Sequence, residues 1–175
     1  MARAIEYREL YDENRRPLGR TIAAGEKVPE GAFVVAVGMW IVNSRHEILL
    51  TQRSPEKRFA PGKWENTSGH LQAGETCEQA IIRELREETG IEAAPEDIRY
   101  LGTAKAAPYF GDNYCVYKDV ELDLLRFQPG ETCGAKWVTL EELERMMRDG
   151  ETSPSMGSHM ESYREALYRA VRGNE

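Results

Sequence analysis

Three glutamates cluster in the segment Arg83-Glu84-Leu-Arg-Glu87-Glu88. At about 100° per residue, a helix places Glu84 and Glu88 on one face and Glu87 about 60° round from Glu84. A rise of about 1.5 Å per residue separates Glu84 and Glu88 by about 6 Å along the axis. Clustered carboxylates repel one another, and Mg²⁺ or Mn²⁺, which take oxygen ligands in octahedral geometry, relieves that repulsion. The spacing therefore predicts a metal site on a helix.

The residues around the glutamates predict where this helix begins and ends. Thr76 can cap its free backbone N–H groups, and the acidic residues beside Thr76 suit the positive end of the helix dipole. Gly90 closes the helix as a left-handed C-cap. An apolar arc next to the glutamates is expected to pack against a core. The residues of this arc are Ile81, Ile82 and Leu85.

The stretch from Gly69 to Ile91 resembles the Nudix box, G-x5-E-x7-R-E-U-x-E-E-x-G-U, in which U is aliphatic. A solvated acidic helix is the alternative, but it does not account for the leading glycine, the aliphatic positions and the closing glycine together. Every specified position of the signature is matched, by Gly69, Glu75, Arg83, Glu84, Leu85, Glu87, Glu88, Gly90 and Ile91.

The resemblance implies a metal-dependent hydrolase, in which water attacks a phosphorus of a nucleoside diphosphate linked to another group. Arg83 would orient a glutamate of the box, and Glu75 would brace Arg83. A water-activating base often lies outside the box; Glu131 is the candidate here, with Glu121 as the second choice. The catalytic residues implied are Arg83, Glu87, Glu88 and Glu131, and the metal ligands are Glu84, Glu87, Glu88 and the carbonyl of Gly69.

A basic cluster precedes the box, in and next to the loop Ser54–Lys63. Arginine offers a planar fork and lysine a point charge, and both suit a diphosphate. A charged surface loop is the alternative interpretation. The predicted substrate contacts are Arg53, Lys57 and Lys63.

The flanks of the box resemble a branch of the family, the isopentenyl-diphosphate isomerases. The similar segments are Leu50-Thr-Gln-Arg-Ser-Pro-Glu-Lys57, Pro61-Gly-Lys-Trp64 and Gly69-His70. However, Ser68 stands where the isomerase has its catalytic cysteine. Isomerase metal sites are also rich in histidine, and this chain has only 3 histidines. These departures favour hydrolysis, with an isomerase-like enzyme and a non-catalytic nucleotide-binding module as alternatives.

Composition limits the expected partners to small molecules. The net charge of −7 disfavours binding to a nucleic acid polymer. No apolar run reaches the roughly 18 residues of a membrane span, and the N-terminus lacks the apolar region of a signal peptide. The 3 cysteines are widely spaced, which indicates a reducing cytoplasm. Composition thus disfavours a nucleic acid polymer or a membrane as partner, and the resemblance implies a small-molecule diphosphate.

The order of predicted elements is strands, the box helix, strands and helices, which indicates an α/β (α+β) fold. The resemblance implies an α/β/α sandwich with a mixed β-sheet between helices. We expect a single domain over residues 1–175. Its parts are an N-terminal hairpin extension at 1–31, a core at 32–150 and a C-terminal helix at 158–173. The hairpin leaves a homodimer contact open.

Local patterns predict the individual elements. The apolar run Ala32–Val42 predicts a strand buried on both faces, with Glu47–Arg53 as its antiparallel partner. Ala106–Asn113 is predicted to be a loop whose Tyr109 and Phe110 either stack on a flat substrate group or fill the core. The other predicted elements are a strand at Asp97–Lys105, a strand at Tyr114–Leu122, a helix from Thr139 to Arg148, and a loop at Glu151–Gly157.

Overall fold

The computed structural model describes residues 5–173. Its strands are β1 (Tyr7–Tyr11), β2 (Pro17–Ala23), β3 (Val34–Val42), β4 (Ile48–Arg53), β5 (Trp64–Glu65), β6 (Thr67–His70), β7 (Ile98–Ala106), β8 (Tyr109–Tyr117) and β9 (Thr132–Val138). Its α-helices are α1 (Cys77–Thr89), α2 (Leu140–Arg148), α3 (Pro154–Met160) and α4 (Arg164–Arg172).

A mixed seven-stranded sheet forms the centre of the fold. Strands β5, β4, β3, β8 and β7 follow one another across the sheet, while β6 pairs with β3 and β9 pairs with β4. The β3–β8 pair is parallel, and the β3–β4 and β3–β6 pairs are antiparallel. The apolar run that predicted a doubly buried strand is β3, which lies in the interior of the sheet.

Side chains of β3 alternate between two cores, as the period of a strand requires. Val37 and Met39 pack with α1, whereas Trp40 and Val42 pack with residues of α2, α3 and α4. Helices therefore cover both faces of the sheet, and the predicted α/β/α sandwich is confirmed.

The helix α1 has the ends that the sequence predicts. The Thr76 hydroxyl accepts a hydrogen bond from Gln79 N–H, and the Gln79 side chain accepts one from Thr76 N–H, which is a capping box. Gly90 adopts φ 75°, and its N–H donates to the carbonyl of Arg86. The buried residues of α1 are Ala80, Ile81, Leu85 and Thr89, so the opposite face is free to carry chemistry.

The N-terminal hairpin formed by β1 and β2 is attached to the core. Tyr11 exchanges backbone hydrogen bonds with Phe33, just before β3. In the hairpin turn, the Arg15 guanidinium binds both carboxylate oxygens of Asp112 in β8, with one N–O distance of 2.7 Å, and also approaches the Cys77 sulfur. The turn therefore contacts β8 and the first residue of α1.

The predicted loop Ala106–Asn113 is wrong. The turn occupies only residues 107–108, and β8 begins at Tyr109. Gly111 and Pro108 favoured a loop, but Gly111 pairs in register with Ala36 of β3. The strand predicted to run on to Leu122 ends at Tyr117. Pairing of β8 with β3 and β7 outweighs the local signals.

The predicted loop Glu151–Gly157 is also wrong in its second half, since α3 begins at Pro154. Serine and glycine are weak helix formers, but Met156 and Met160 bury themselves one turn apart in the second core. The helix expected at 158–173 is divided into the end of α3, a 3₁₀ turn at Glu161–Tyr163 and α4. None of the helices described within residues 5–173 is long and apolar enough to cross a membrane.

Candidate active site

An open cavity of about 670 Å³ lies beside the sheet, with acidic residues of α1 in one wall and basic residues at and after the end of β4 in another. Small residues of β3 and β8 form part of its floor. The predicted site residues that line it are Arg53, Lys57, Gly69, Arg83, Glu84, Glu87, Glu88 and Glu131. Of the residues predicted as substrate contacts, metal ligands and first-choice catalytic groups, Lys63 alone does not line this cavity.

Arg83 connects the acidic residues of the box. It makes a two-pronged contact with the Glu75 carboxylate, with N–O distances of 2.7 and 2.9 Å, and a hydrogen bond of 2.8 Å to Glu84. It lies 3.5 Å from Glu87 and donates to the carbonyl of His70. Burial opposes ionisation of Glu75, but these bonds from Arg83 and a backbone N–H together lower its pKa. Glu75 is therefore an ionised support for Arg83.

Gly69 makes room for the Glu84 carboxylate. A Cβ atom built on Gly69 would lie 2.0 Å from the Glu84 carboxyl carbon, closer than atoms can approach. Gly69 is in β6, and α1 packs directly against that strand. Glycine is therefore required at this position by close packing, which places the Glu84 carboxylate against the Gly69 backbone.

Glu88 also lines the cavity, and the backbone N–H of Ser68 donates to it at 3.4 Å. Burial, together with the charges of Glu84 and Glu65, raises the pKa of Glu88 to about 8. Burial also raises the pKa of Glu84, against the opposing contact from Arg83. Ionised carboxylates are thus poorly compensated at this site, and a bound cation would supply the compensating positive charge.

The donor set fits a hard divalent cation, because Glu84, Glu87, Glu88 and the Gly69 carbonyl offer only oxygen atoms. Because Gly69 has no side chain, the Glu84 carboxylate lies against the Gly69 backbone, which brings these two candidate ligands together. Within residues 5–173, however, no three His, Cys, Asp or Glu side chains are already arranged around one point. Arg83 holds Glu84 and lies near Glu87, so these carboxylates would turn to reach a shared ion.

The basic wall of the cavity is already paired with acidic partners. Arg53 binds Glu65 at 2.6 Å and stacks near the ring of Phe59, 5.9 Å from its centroid. Lys57 forms an ion pair with Glu131. Both cations face the cavity, so a diphosphate could reach them by competing with these carboxylates.

Lys63 does not line the cavity: its ammonium group donates to the carbonyl of Gly150. Glu121, the second choice for a base, lies in a separate cleft with Asn43 and Asp119. Of the two candidate bases, Glu131 alone lines the cavity that holds the box glutamates.

The aromatic residues after β7 have separate positions. Phe110 is buried and packs on Phe33, with ring centroids 5.0 Å apart. Tyr109 lines the cavity, with its ring 5.8 Å from that of His70. Burial, and then the nearby charge of Arg8, lowers the pKa of His70 to about 4. His70 is therefore a neutral ring in the cavity wall at physiological pH.

Sequence reasoning missed several residues of the cavity. Glu6 and Arg8 reach it from the N-terminal hairpin, and no local pattern connects them with the box. Asn66 and Asn113 lie in its floor, and Met156 and His159 contribute from α3. Asn113 follows Asp112 in the segment that was predicted to be a loop, so no sequence signal indicated that its amide is buried in β8.

Comparison with known proteins decides the family. Residues 32–156 match the family model described as NUDIX domain. This chain belongs to the Nudix family. The match contains the box and the basic loop, and the N-terminal hairpin lies before it. Nudix hydrolases act on small molecules and generally use divalent metal ions.

Relatives of both expected kinds are similar to this Nudix chain. A Nudix hydrolase of Listeria monocytogenes is 33% identical over 151 residues, 86% of this chain and 89% of that protein. An isopentenyl-diphosphate Δ-isomerase of Citrobacter koseri is 31% identical over 138 residues, 75% of this chain and 76% of that protein. The prediction of a Nudix-type hydrolase, in a branch similar to the isomerases, is confirmed at the level of the family.

Solved structures agree with the fold. A Deinococcus radiodurans protein has a TM-score of 0.74 and 24% identity, and the match covers 94% of this chain and 98% of that one. The NUDIX domain of Shewanella oneidensis NrtR, solved with ADP ribose, has a TM-score of 0.60 and 20% identity, with 81% and 94% coverage. At these identities the comparison establishes the shared Nudix fold.

Proposed function

We propose that this protein hydrolyses the diphosphate bond of a nucleoside diphosphate derivative or a similar organic diphosphate, with Mg²⁺ or Mn²⁺ as cofactor. One observation carries the proposal: the three box glutamates and the two cations Arg53 and Lys57 line a single cavity. Negative oxygen ligands on one side suit a metal, and positive groups on the other suit phosphate oxygens. A diphosphate with a bound cation complements both walls.

In this proposal, Glu84, Glu87 and Glu88 hold the metal with the Gly69 carbonyl. When bound, a divalent cation neutralises phosphate charge and lowers the pKa of coordinated water. Arg83 orients Glu84 and Glu87, and Glu75 keeps Arg83 in place through its two-pronged contact.

Glu131 accepts the proton of the attacking water in this scheme. The water oxygen forms a bond to phosphorus, the bridging P–O bond breaks, and the leaving phosphate departs with the bond's electron pair. Lys57 now pairs with Glu131; when the substrate phosphates bind Lys57 and Arg53, the Glu131 carboxylate is released to accept the proton. Lys63 can contact the substrate only after its hydrogen bond to the Gly150 carbonyl breaks.

Isomerisation of a prenyl diphosphate is the second candidate function, because relatives about one-third identical carry the name isopentenyl-diphosphate Δ-isomerase. Against it, Ser68 lines the cavity where a catalytic cysteine is expected. Serine is a much weaker proton donor than a thiol. We also propose a cytoplasmic location. The hairpin is the proposed contact of a homodimer, and light scattering would test for this dimer.

The test is a hydrolysis assay with Mg²⁺ and with Mn²⁺, in which product masses are read for four classes of compound. The classes are nucleotide sugars, dinucleotide polyphosphates, nucleoside triphosphates and isopentenyl diphosphate. Metal-dependent cleavage of one class supports the proposal, and the masses identify the phosphorus attacked. Rearrangement of isopentenyl diphosphate without cleavage would establish the second candidate. Binding without any conversion would favour a nucleotide-binding module.

A further inference from the structure

Two buried asparagines share the floor of the cavity with a glycine. Asn66 and Asn113 are only 7% and 6% exposed, and both line the cavity. Gly38 of β3 pairs in register with Ser68 of β6 on one side and with Asn113 of β8 on the other. We refer to Asn66, Asn113 and Gly38 as the amide floor.

Gly38 allows the two amides to approach each other. A Cβ atom at this position would lie 2.6 Å from Asn113 Oδ1 and 3.0 Å from Asn66 Nδ2. Even an alanine side chain would displace both groups. The two amide groups therefore converge on the space above one backbone position.

Hydrogen bonds to the backbone fix how each amide is oriented. Asn113 Nδ2 donates to the Gly111 carbonyl at 2.9 Å, and Asn66 Nδ2 donates to the carbonyls of Met39 and Thr67 at 3.4 Å each. Both amide nitrogens donate to backbone carbonyls, so the amide oxygens are the atoms still able to accept a hydrogen bond. No donor among residues 5–173 bonds to either oxygen. Neither oxygen is among the fully buried unpaired atoms of the described residues, and both asparagines line the cavity, so each oxygen can take a partner from solvent or from a ligand there.

The amide floor adjoins the carboxylates of the proposed metal site. Ser68, the residue opposite Gly38, donates its backbone N–H to Glu88. A group attached to the diphosphate would therefore rest directly on the amide floor. Met156 and Tyr163 close this part of the cavity from the side of α3.

We propose that the amide floor binds hydroxyl groups of a sugar attached to the diphosphate, an inference that rests on the proposed function. A hydroxyl can donate to Asn113 Oδ1 while it accepts from Asn66 Nδ2, whose existing bonds are long. A hydrocarbon can do neither. Sites built to bond a hydroxyl reject the analogue that lacks it, because their own buried polar groups lose their partners.

The test compares two diphosphates of equal ring size, glucosyl diphosphate and cyclohexyl diphosphate, which differ in their hydroxyl groups. Affinities are measured by titration calorimetry with Ca²⁺ as the oxygen-binding cation. Wild type should bind the glucosyl compound about 10-fold more tightly, the equivalent of one net hydrogen bond. Asn113→Leu, which has similar volume but no amide, should reduce this preference to less than about 3-fold.

Asn14→Leu is the control, since Asn14 is an exposed asparagine in the hairpin turn. It should keep the full preference. Equal affinities in wild type would overturn the proposal, and so would a folded Asn113→Leu protein with an unchanged preference. If Asn113→Leu does not fold, Asn66→Leu decides by the same criterion.

Cleavage of the same two compounds with Mg²⁺ is measured separately. A preference in binding without cleavage would support the amide floor and contradict the proposed hydrolysis. Cleavage of these compounds without a preference in binding would support the proposed hydrolysis and contradict the amide floor as a hydroxyl site.

Discussion

Glu88 combines two properties that follow from its surroundings. It has a single weak hydrogen bond, from Ser68 N–H, and it faces the charges of Glu84 and Glu65. Arg83 binds Glu75 and Glu84 and lies near Glu87, but it makes no such contact with Glu88. Glu88 is therefore the box carboxylate with the most to gain from a bound cation.

Replacing Glu88 by Gln tests its role directly. In the proposed mechanism, the amide keeps the volume but removes a charged ligand from the cation, so hydrolysis should fall by at least about 100-fold. Glu78→Gln is a matched control, because Glu78 is exposed in the first turn of α1. The measurement is kcat with saturating metal. Similar rates for the two variants would contradict the assignment of Glu88.

The raised pKa of Glu88 also predicts how pH affects stability. Between the ordinary value of 4.5 and about 8, the folded protein keeps a proton that the unfolded chain has released. Without metal, the free energy of unfolding should therefore fall as pH rises through this window, and the effect is absent below it. Raised pKa values at Glu84 and Glu65 act in the same direction.

Thermal unfolding in EDTA from pH 5 to pH 8 checks this expectation. Glu88→Gln should show a shallower decline, because the amide does not titrate. Added Mg²⁺ binds the ionised carboxylate, so it should stabilise wild type more at pH 8 than at pH 5. A decline of equal slope in wild type and Glu88→Gln would show that the titration belongs to other groups.

At the scale of elements, the N-terminal hairpin takes part in the cavity although it lies before the matched Nudix region. Arg8 of β1 is half-buried near Glu84 and His70. Burial lowers its pKa, but a guanidinium stays charged at physiological pH. Among the salt bridges within residues 5–173, none involves Arg8, so its charge is available to an anion in the cavity.

Arg8→Met should therefore weaken substrate binding. Loss of one charged contact to phosphate is expected to raise KM about 10-fold and to change kcat by less than about 3-fold. Arg20→Met is the control, since Arg20 is exposed on β2 of the same hairpin. Steady-state kinetics on the substrate found by the panel assay gives both constants. An equal KM for the two variants would place Arg8 outside the binding site.

Elements with strong local patterns were predictable. The apolar run of β3, the caps of α1 and the Thr139 cap of α2 each encode their element within a few residues. Strand β8 and helix α3 were not, because Gly111 and Gly157 read locally as loop residues. Their partners are strands and cores far away in sequence, and that pairing overrides local preference.

On the scale of the whole molecule, the site also has one part that the local sequence predicts and another part that depends on tertiary packing. The box alone predicted the carboxylates of the proposed metal site, because Glu84, Glu87 and Glu88 all lie in one helix, α1. Arg8, Asn66 and Asn113 reach the cavity only through tertiary packing of β1, β6 and β8. Their side-chain chemistry was visible in the sequence, whereas their convergence depends on strand order and register.

One contact that joins these parts is the ion pair between Arg15 and Asp112, which connects the hairpin turn to β8. The Asp112 side chain is 8% exposed and that of Arg15 is 33% exposed. Burial opposes ionisation of Asp112, but hydrogen bonds from Arg15, Thr103 and Cys77 lower its pKa below the ordinary value. Removing Arg15 would leave a buried carboxylate with only the Thr103 hydroxyl and the weak Cys77 thiol as side-chain donors.

We expect Arg15→Met to lower the free energy of unfolding by about 2 kcal/mol, reduced from the value for a fully buried pair because Arg15 is partly exposed. Arg16→Met is the matched control, since the neighbouring Arg16 is exposed, and it should change stability little. Urea unfolding measures both. In Asp112→Asn the same Arg15 substitution should cost less, because the buried charge is gone and the two changes are coupled. Equal stability of Arg15→Met and Arg16→Met would show that the backbone bonds to Phe33, rather than this ion pair, hold the hairpin. Arg8 would then keep its position in the cavity without the ion pair.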